Sequence, residues 1–144
     1  MEIVLNVAYG GENKSGNALV PIIRILRKRM KEHFQLYKQE GFNKLKIFLF
    51  FNGDLTSYYE KSGLYQPLYF QNKSEFSFTI CFDNDHWTGD QNIDINLFYS
   101  KLKQYLLYAV EVLEQKLMRK KIVFLRNDLV LLINSMIDSL QILP

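Results

Sequence analysis

The chain has 144 residues, 48% hydrophobic and 15% aromatic, with a formal net charge of +3. Such a composition excludes a disordered chain and fits a single domain, 1–144, large enough to bury a core. The small positive excess does not point to nucleic acid without a focused patch, and the lone Cys81 excludes an internal disulfide and a multi-cysteine zinc site.

The first segment, MEIVLNVAYG, carries Glu2 and no basic lead region, so it reads as a strand and not as a targeting segment. Over residues 2–9, Ile3, Leu5 and Val7 alternate with Val4, Asn6 and Ala8. No apolar run approaches the ~20 residues that span a bilayer, and a cytoplasmic protein without membrane contact is expected. GGENKSGN follows. Gly11 and Gly16 have phosphate-loop spacing, but Asn17-Ala18 stands where that loop needs Lys followed by Ser or Thr, so a turn is expected. Helix one then runs from about Asn17–Pro21 to Glu40, with Leu19, Ile22, Ile23, Leu26, Met30, Phe34 and Tyr37 at helical spacing and Gly41 as its stop. Arg24, Arg27, Lys28, Arg29 and Lys31 spread over its other face, whose usual meaning is a solvated surface. His33 reads as a partly buried helix residue.

KLKIFLFFN holds five consecutive apolar residues, Ile47 to Phe51, and predicts a central strand buried on both faces. The connection GDLTSYYEKSG is polar and aromatic. LYQPLYF is a strand that Pro67 assigns to an edge or a strand start, because proline cannot donate to a ladder. SEFSFTICFD is the clearest strand. Phe76, Phe78, Ile80 and Phe82 alternate with Ser77, Thr79, Cys81 and Asp83, and a turn at Asn72–Ser74 makes the two a hairpin. Cys81 reads as a buried, unreactive thiol. Phe48, Phe50, Phe78 and Ile80 are expected under the apolar stripes of helices one and two. Helix two is predicted from about Asp94 to Met118, capped by Asp94 or Asn96, with Phe98, Leu102, Tyr105, Leu106, Ala109, Leu113 and Leu117 inward. KIVFLR reads as a short strand or a helix end. Helix three starts at Asp128 behind an Asn127 cap and turns Leu129, Leu132, Ile133, Met136, Ile137 and Leu140 inward. The order β-α-β-β-β-α-(β)-α predicts an α/β fold: a mixed sheet packed against three helices in two or three layers, with β1 and β2 parallel.

The most distinctive segment is FDNDHWTGDQNIDIN, Phe82–Asn96. It carries Asp83, Asp85, Asp90 and Asp94, the only tryptophan, Trp87, and His86, and no Lys or Arg. Asp83, Asp85 and Asp94 occupy positions 1, 3 and 12 of a calcium-loop register. That register fails at Trp87, where a ligand is needed, and at Thr88, where the turn glycine is needed. No metal and no cofactor is expected. A docking loop suits these residues better than a metal site, since carboxylates steer a basic partner and a tryptophan anchors it. The other reading is a plain solvated connection whose Trp87 folds back onto the core. Tyr58, Tyr59 and Tyr65, in and beside SYYEKSGLY, offer contact area with polar ends and form a second part of that surface. No Ser-His-Asp, Cys-His, paired-glutamate or zinc-ligand pattern is legible, which weighs against an enzyme. Two alternatives stand beside the docking protein. One is a metal-dependent hydrolase on Asp83, Asp85 and His86, with His33 as a further ligand. The other is a nucleic-acid-binding accessory domain using the basic face of helix one.

In its length, single α/β domain, lone cysteine and acidic-aromatic loop, the chain resembles the small immunity proteins of bacterial contact-dependent inhibition and other polymorphic-toxin systems. The resemblance implies stoichiometric binding of a cognate toxin domain and blockage of its active site. Members that oppose nucleases are often acidic, and the pI near 8.9 departs from that balance.

Overall fold

The computed structural model describes residues 1–10, 16–52, 63–71, 74–83 and 88–141. Among them the order is β1 (Glu2–Gly10), α1 (Gly16–Phe34), β2 (Lys44–Asn52), β3 (Gly63–Gln71), β4 (Glu75–Asp83), α2 (Gln91–Arg119) and α3 (Arg126–Gln141). The strands form a mixed sheet in the order β1-β2-β4-β3. β2 runs parallel to both β1 and β4, and β3 returns antiparallel to β4 as the predicted hairpin. Pro67 lies in β3, an outer strand, within the stretch between Tyr65 and Tyr69 where the register shifts. Proline is tolerated there because an outer strand has one edge without a ladder.

Alternation builds the core. Ile3 and Leu5 of β1, Leu45, Ile47, Leu49 and Phe51 of β2, and Phe76, Phe78, Ile80 and Phe82 of β4 are buried on one face. Phe51 stacks on Phe82 at 4.9 Å between centroids, and Phe98 of α2 leans on both rings at 6.1 and 5.3 Å. All three helices contribute to the same core: Leu19, Ile23, Leu26 and Met30 from α1, Leu102 to Leu117 from α2, and Leu129, Ile133 and Met136 from α3. α3 packs against both α1 and α2. The result is two layers, with the helices on a single face.

The strand pattern of β2 is therefore only half as predicted. Its other face carries Lys44, Lys46, Phe48 and Phe50, all half-buried, in register with Val4, Asn6, Ala8, Ser77 and Thr79. Phe48 and Phe50 lie opposite the helices and stack on each other at 6.2 Å. Five apolar residues in a row mark a central strand without saying that both faces are covered.

α1 ends at Phe34, before Glu40. The amino nitrogen of Met1 donates to the carbonyls of Phe34 (3.1 Å), Gln35 (3.3 Å) and Tyr37 (2.7 Å), so the helix terminus is capped by the residue that precedes β1. Tyr37 still extends the buried stripe, from a turn, with its ring edge-on to Phe34. Gly41 has φ +99°, and a Cβ there would meet Ile122 Cδ1 at 2.8 Å and Leu117 Cδ2 at 3.0 Å, so it serves the turn into β2 rather than a helix stop.

Residues 121–126 are neither a strand nor simply a helix end. α2 closes with the N–H of Lys121 on Met118 O (2.9 Å) and that of Ile122 on Leu117 O (3.0 Å), and Lys121 takes the left-handed position at φ 59°. Beyond it the Gln39 amide donates to Val123 O (2.8 Å) and accepts from Leu125 N (2.9 Å). A side chain thus fills the place of a neighbouring strand. α3 begins at Arg126, two residues before Asp128, and Arg126 pairs with Glu114 of α2 at 3.2 Å.

Two substitutions test this architecture in opposite directions. Ile80→Ala removes a fully buried side chain from the central ladder and should lower unfolding free energy by about 2–5 kcal/mol in urea titration. Lys121→Gly relieves a left-handed backbone and should raise it by about 1 kcal/mol. An unchanged midpoint and slope for Ile80→Ala would place the core elsewhere.

Candidate functional site

The three parallel strands end level. Gly10 pairs with Asn52, and Asn52 with Asp83. β3 starts at Gly63 beside Cys81, at the same edge. The connections leaving β1, β2 and β4 therefore all depart from the carboxyl edge of the sheet. In sheets of this kind the carboxyl edge is where binding residues from distant parts of the chain gather.

Most of the predicted docking residues belong to those connections. Tyr58 and Tyr59 fall in 53–62, and Asp85, His86 and Trp87 fall in 84–87; these lie outside the described residues. The glycine-rich loop has its residues 11–15 outside them too. Asp83 is the last residue of β4, and Tyr65 sits in β3 opposite Thr79. The strands thus bring the chain positions flanking the tyrosine connection and the acidic connection to one edge, which sequence spacing could not show.

Downstream, the acidic segment is ordered by its own carboxylates. Asp90 is exposed and is the N-cap of α2, its Oδ1 accepting from the N–H of Asn92 (3.0 Å) and of Ile93 (3.1 Å). The helix therefore starts at Gln91, one turn before the predicted Asp94. Asp94 is only 2% exposed. Its Oδ1 accepts from the Thr88 N–H (2.8 Å) and the Thr88 hydroxyl (2.9 Å), and its Oδ2 from the Gly89 N–H (3.0 Å). The Thr88 hydroxyl in turn accepts from the Asp90 N–H at 3.1 Å. Gly89 has φ +89°, open to glycine at no cost. Asp94 is thus a clamp on the turn that delivers the acidic connection into α2, and its carboxylate is buried in the chain's own hydrogen bonds.

Cys81 is buried, and burial pushes its thiol up to about 12 from 9.0. His33 is half-buried on α1 with Nδ1 2.9 Å from Arg29 O, one turn back. Among the described residues no three His, Cys, Asp or Glu side chains stand together as a metal set.

A second cluster is built on three exposed leucines that are not among the residues singled out from the sequence. Leu36 (86% exposed), Leu131 (66%) and Leu125 (43%) line a groove of about 700 Å³ between the end of α1 and α3, with His33, Tyr37 and Asp128. Its signal was available: Leu36 and Leu131 fall off the apolar stripes of their segments. Exposed apolar clusters of this kind mark contact surfaces.

A family model described as Immunity protein 12 matches residues 1–129 of the 144. The chain belongs to that family. No curated protein matches it, and no solved structure matches it.

The clamp and the cap should separate on mutation. Asp94→Ala leaves the Thr88 and Gly89 donors without their acceptor and should cost about 1–3 kcal/mol by chemical denaturation. Asp90→Ala loses an exposed cap and should cost about 1 kcal/mol. An Asp94→Ala protein as stable as the parent would remove the clamp.

Alkaline pH reads the buried acids. Burial, reinforced by the Asp128 carboxylate, raises Tyr37 to about 12 from 10.0, in step with Cys81. Both stay protonated when folded while the unfolded chain releases their protons from 9.0 and 10.0 upward. Their contribution to stability is complete below about pH 9 and is lost as pH rises through about 12. Denaturation midpoints should fall across that window. An aromatic disulfide reagent at about pH 8 should leave native Cys81 unmodified until denaturant is added.

Proposed function

We propose that this member of the immunity protein 12 family neutralises a cognate bacterial toxin domain by forming a stoichiometric complex with it, and that the carboxyl edge of the sheet is the docking surface. The family match carries the reading at the level of immunity. The docking surface is supported by the convergence of three chain connections at Gly10, Asn52 and Asp83.

The chemistry is that of an interface without catalysis. Asp83, Asp85 and Asp90 supply negative charge that steers a basic partner, and such charges act chiefly on association rate. Trp87 is the anchor, with His86 beside it, because a large amphipathic ring buried in a partner pocket carries a disproportionate share of binding energy. Tyr58, Tyr59 and Tyr65 extend the contact area from the β2–β3 side. Asp94 takes an indirect part: its buried carboxylate holds Thr88 and Gly89, and so orients the end of the loop. No cofactor or metal enters. Neutralisation by occupancy suits a protein acting in the cytoplasm of the bacterium that makes or receives the toxin, as in contact-dependent growth inhibition. No helix among the described residues is long and apolar enough to cross a membrane.

The test is surface-plasmon kinetics against the toxin domain recovered by affinity capture from the native strain. Trp87→Ala should speed dissociation and cost about 2 kcal/mol or more, roughly thirtyfold in affinity. The Asp83/Asp85/Asp90 triple Asn variant should slow association and flatten its salt dependence. If both folded variants bind as the parent does, the docking surface lies elsewhere.

A further inference from the structure

The outer edge of β1, which pairs with no further strand among the described residues, provides a second surface, of opposite charge. The Glu2 N–H donates to Asn43 O (3.1 Å), and Glu2 is paired with Lys44. In a parallel ladder this assigns the main-chain groups of the even residues of β1 to β2, and directs those of Ile3, Leu5 and Val7 away from the sheet. A groove of about 920 Å³ runs along Ile3 and Leu5, between β1 and α1, with Arg27, Lys31 and Gln35 on the helix wall. Arg27 reaches across it: Nε (3.2 Å) and Nη2 (3.0 Å) both donate to the Leu5 carbonyl. The basic run on α1 is therefore not simply a solvated face.

The charge on that wall is positive. α1 carries Arg24, Arg27, Lys28, Arg29 and Lys31 against one acid, Glu32. Glu2 of β1 and Glu32 also line the groove, and Glu32 is held by Arg29 (3.4 Å) and Lys28 (4.0 Å). Arg27 and exposed Lys31 are left as the cations facing the edge.

We infer that this groove receives an extended polypeptide segment with carboxylates at alternate positions, added to β1 as a further strand. The spacing supports it. Alternate strand side chains on one face lie about 6.6 Å apart, and four helical residues, as from Arg27 to Lys31, advance about 6 Å. The row of outward N–H and C=O groups matches a peptide backbone, whereas the outward carbonyls of Ile3 and Val7 would repel a phosphate chain. A second copy of this chain would bring two basic α1 walls together. On binding, a strand N–H replaces Arg27 on the Leu5 carbonyl and the guanidinium fork turns to a carboxylate, a stronger bidentate contact. Until then Arg27 covers the edge against indiscriminate pairing. The inference stands whether or not the carboxyl edge docks a toxin.

The experiment uses the isotope-labelled chain and synthetic peptides of about ten residues alternating Glu with Thr. The expected result is saturable shifts and slowed hydrogen exchange at the Ile3, Leu5 and Val7 amides, weakening as salt rises from about 50 to about 300 mM. Arg27→Gln should weaken binding about tenfold. Lys31→Gln, at an exposed position, should weaken it too and covers the case in which Arg27→Gln does not fold. Arg24→Gln, at an exposed position of α1 outside the groove, should leave it unchanged. Absence of shifts at those amides up to about 1 mM peptide overturns the inference. So does equal binding of a Lys-Thr peptide, tighter binding of a single-stranded oligonucleotide at the same amides, or their protection by self-association alone.

Discussion

Everything in this fold depends on the ladder that joins β1, β2 and β4 in parallel with no offset at their ends. Each bond in it constrains the next, so the strands finish together at Gly10, Asn52 and Asp83. The same ladder sets which side chains meet the helices. A slip of one residue in β2 would turn Ile47, Leu49 and Phe51, which are fully buried, to the face opposite the helices and bring Phe48 and Phe50 inward. Core burial holds the register, and the register holds the carboxyl edge.

The helices complete this arrangement from one side only. α1 and α2 lie over the strands, and α3 lies against both helices. The opposite face keeps its lysines, its hydroxyl residues and the stacked Phe48–Phe50 pair. Among the described residues no helix covers that second face, which is unusual for a parallel ladder; Lys46, Phe48 and Thr79 on it are half-buried, while Cys81 is buried.

A net charge of +3 conceals two separate fields. Basic residues concentrate on α1, where Arg27 is bonded to the edge of β1. Acidic residues concentrate between β4 and α2. Within that acidic group the carboxylates play different parts. Asp94 is buried and accepts from Thr88 and Gly89, while Asp90 caps a helix and remains exposed to solvent. A screened, averaged charge says little about partners; two opposed surfaces on one small protein permit contacts with chemically different ones.

The sequence by itself determined the elements. Period-two alternation marks β1 and β4, period 3.6 marks the three helices, Pro67 marks an outer strand, and Cys81 within an alternating strand marks a buried thiol. The acidic-aromatic loop and the lone cysteine also carried the resemblance to immunity proteins that the family match bears out. Tertiary structure alone decided the rest. KIVFLR has strand-forming residues and no strand, because its backbone partner is the Gln39 amide, 84 residues before Val123. Asp94 has the composition of a docking or capping residue, and its burial depends on how Thr88 and Gly89 fold over it. β2 looks two-sided, and among the described residues its second face carries no helix because all three helices pack on the other. The physical reason is common to all three. Periodicity records which residues are apolar along a local segment, whereas pairing, burial and enclosure are set by partners that only the folded chain brings near.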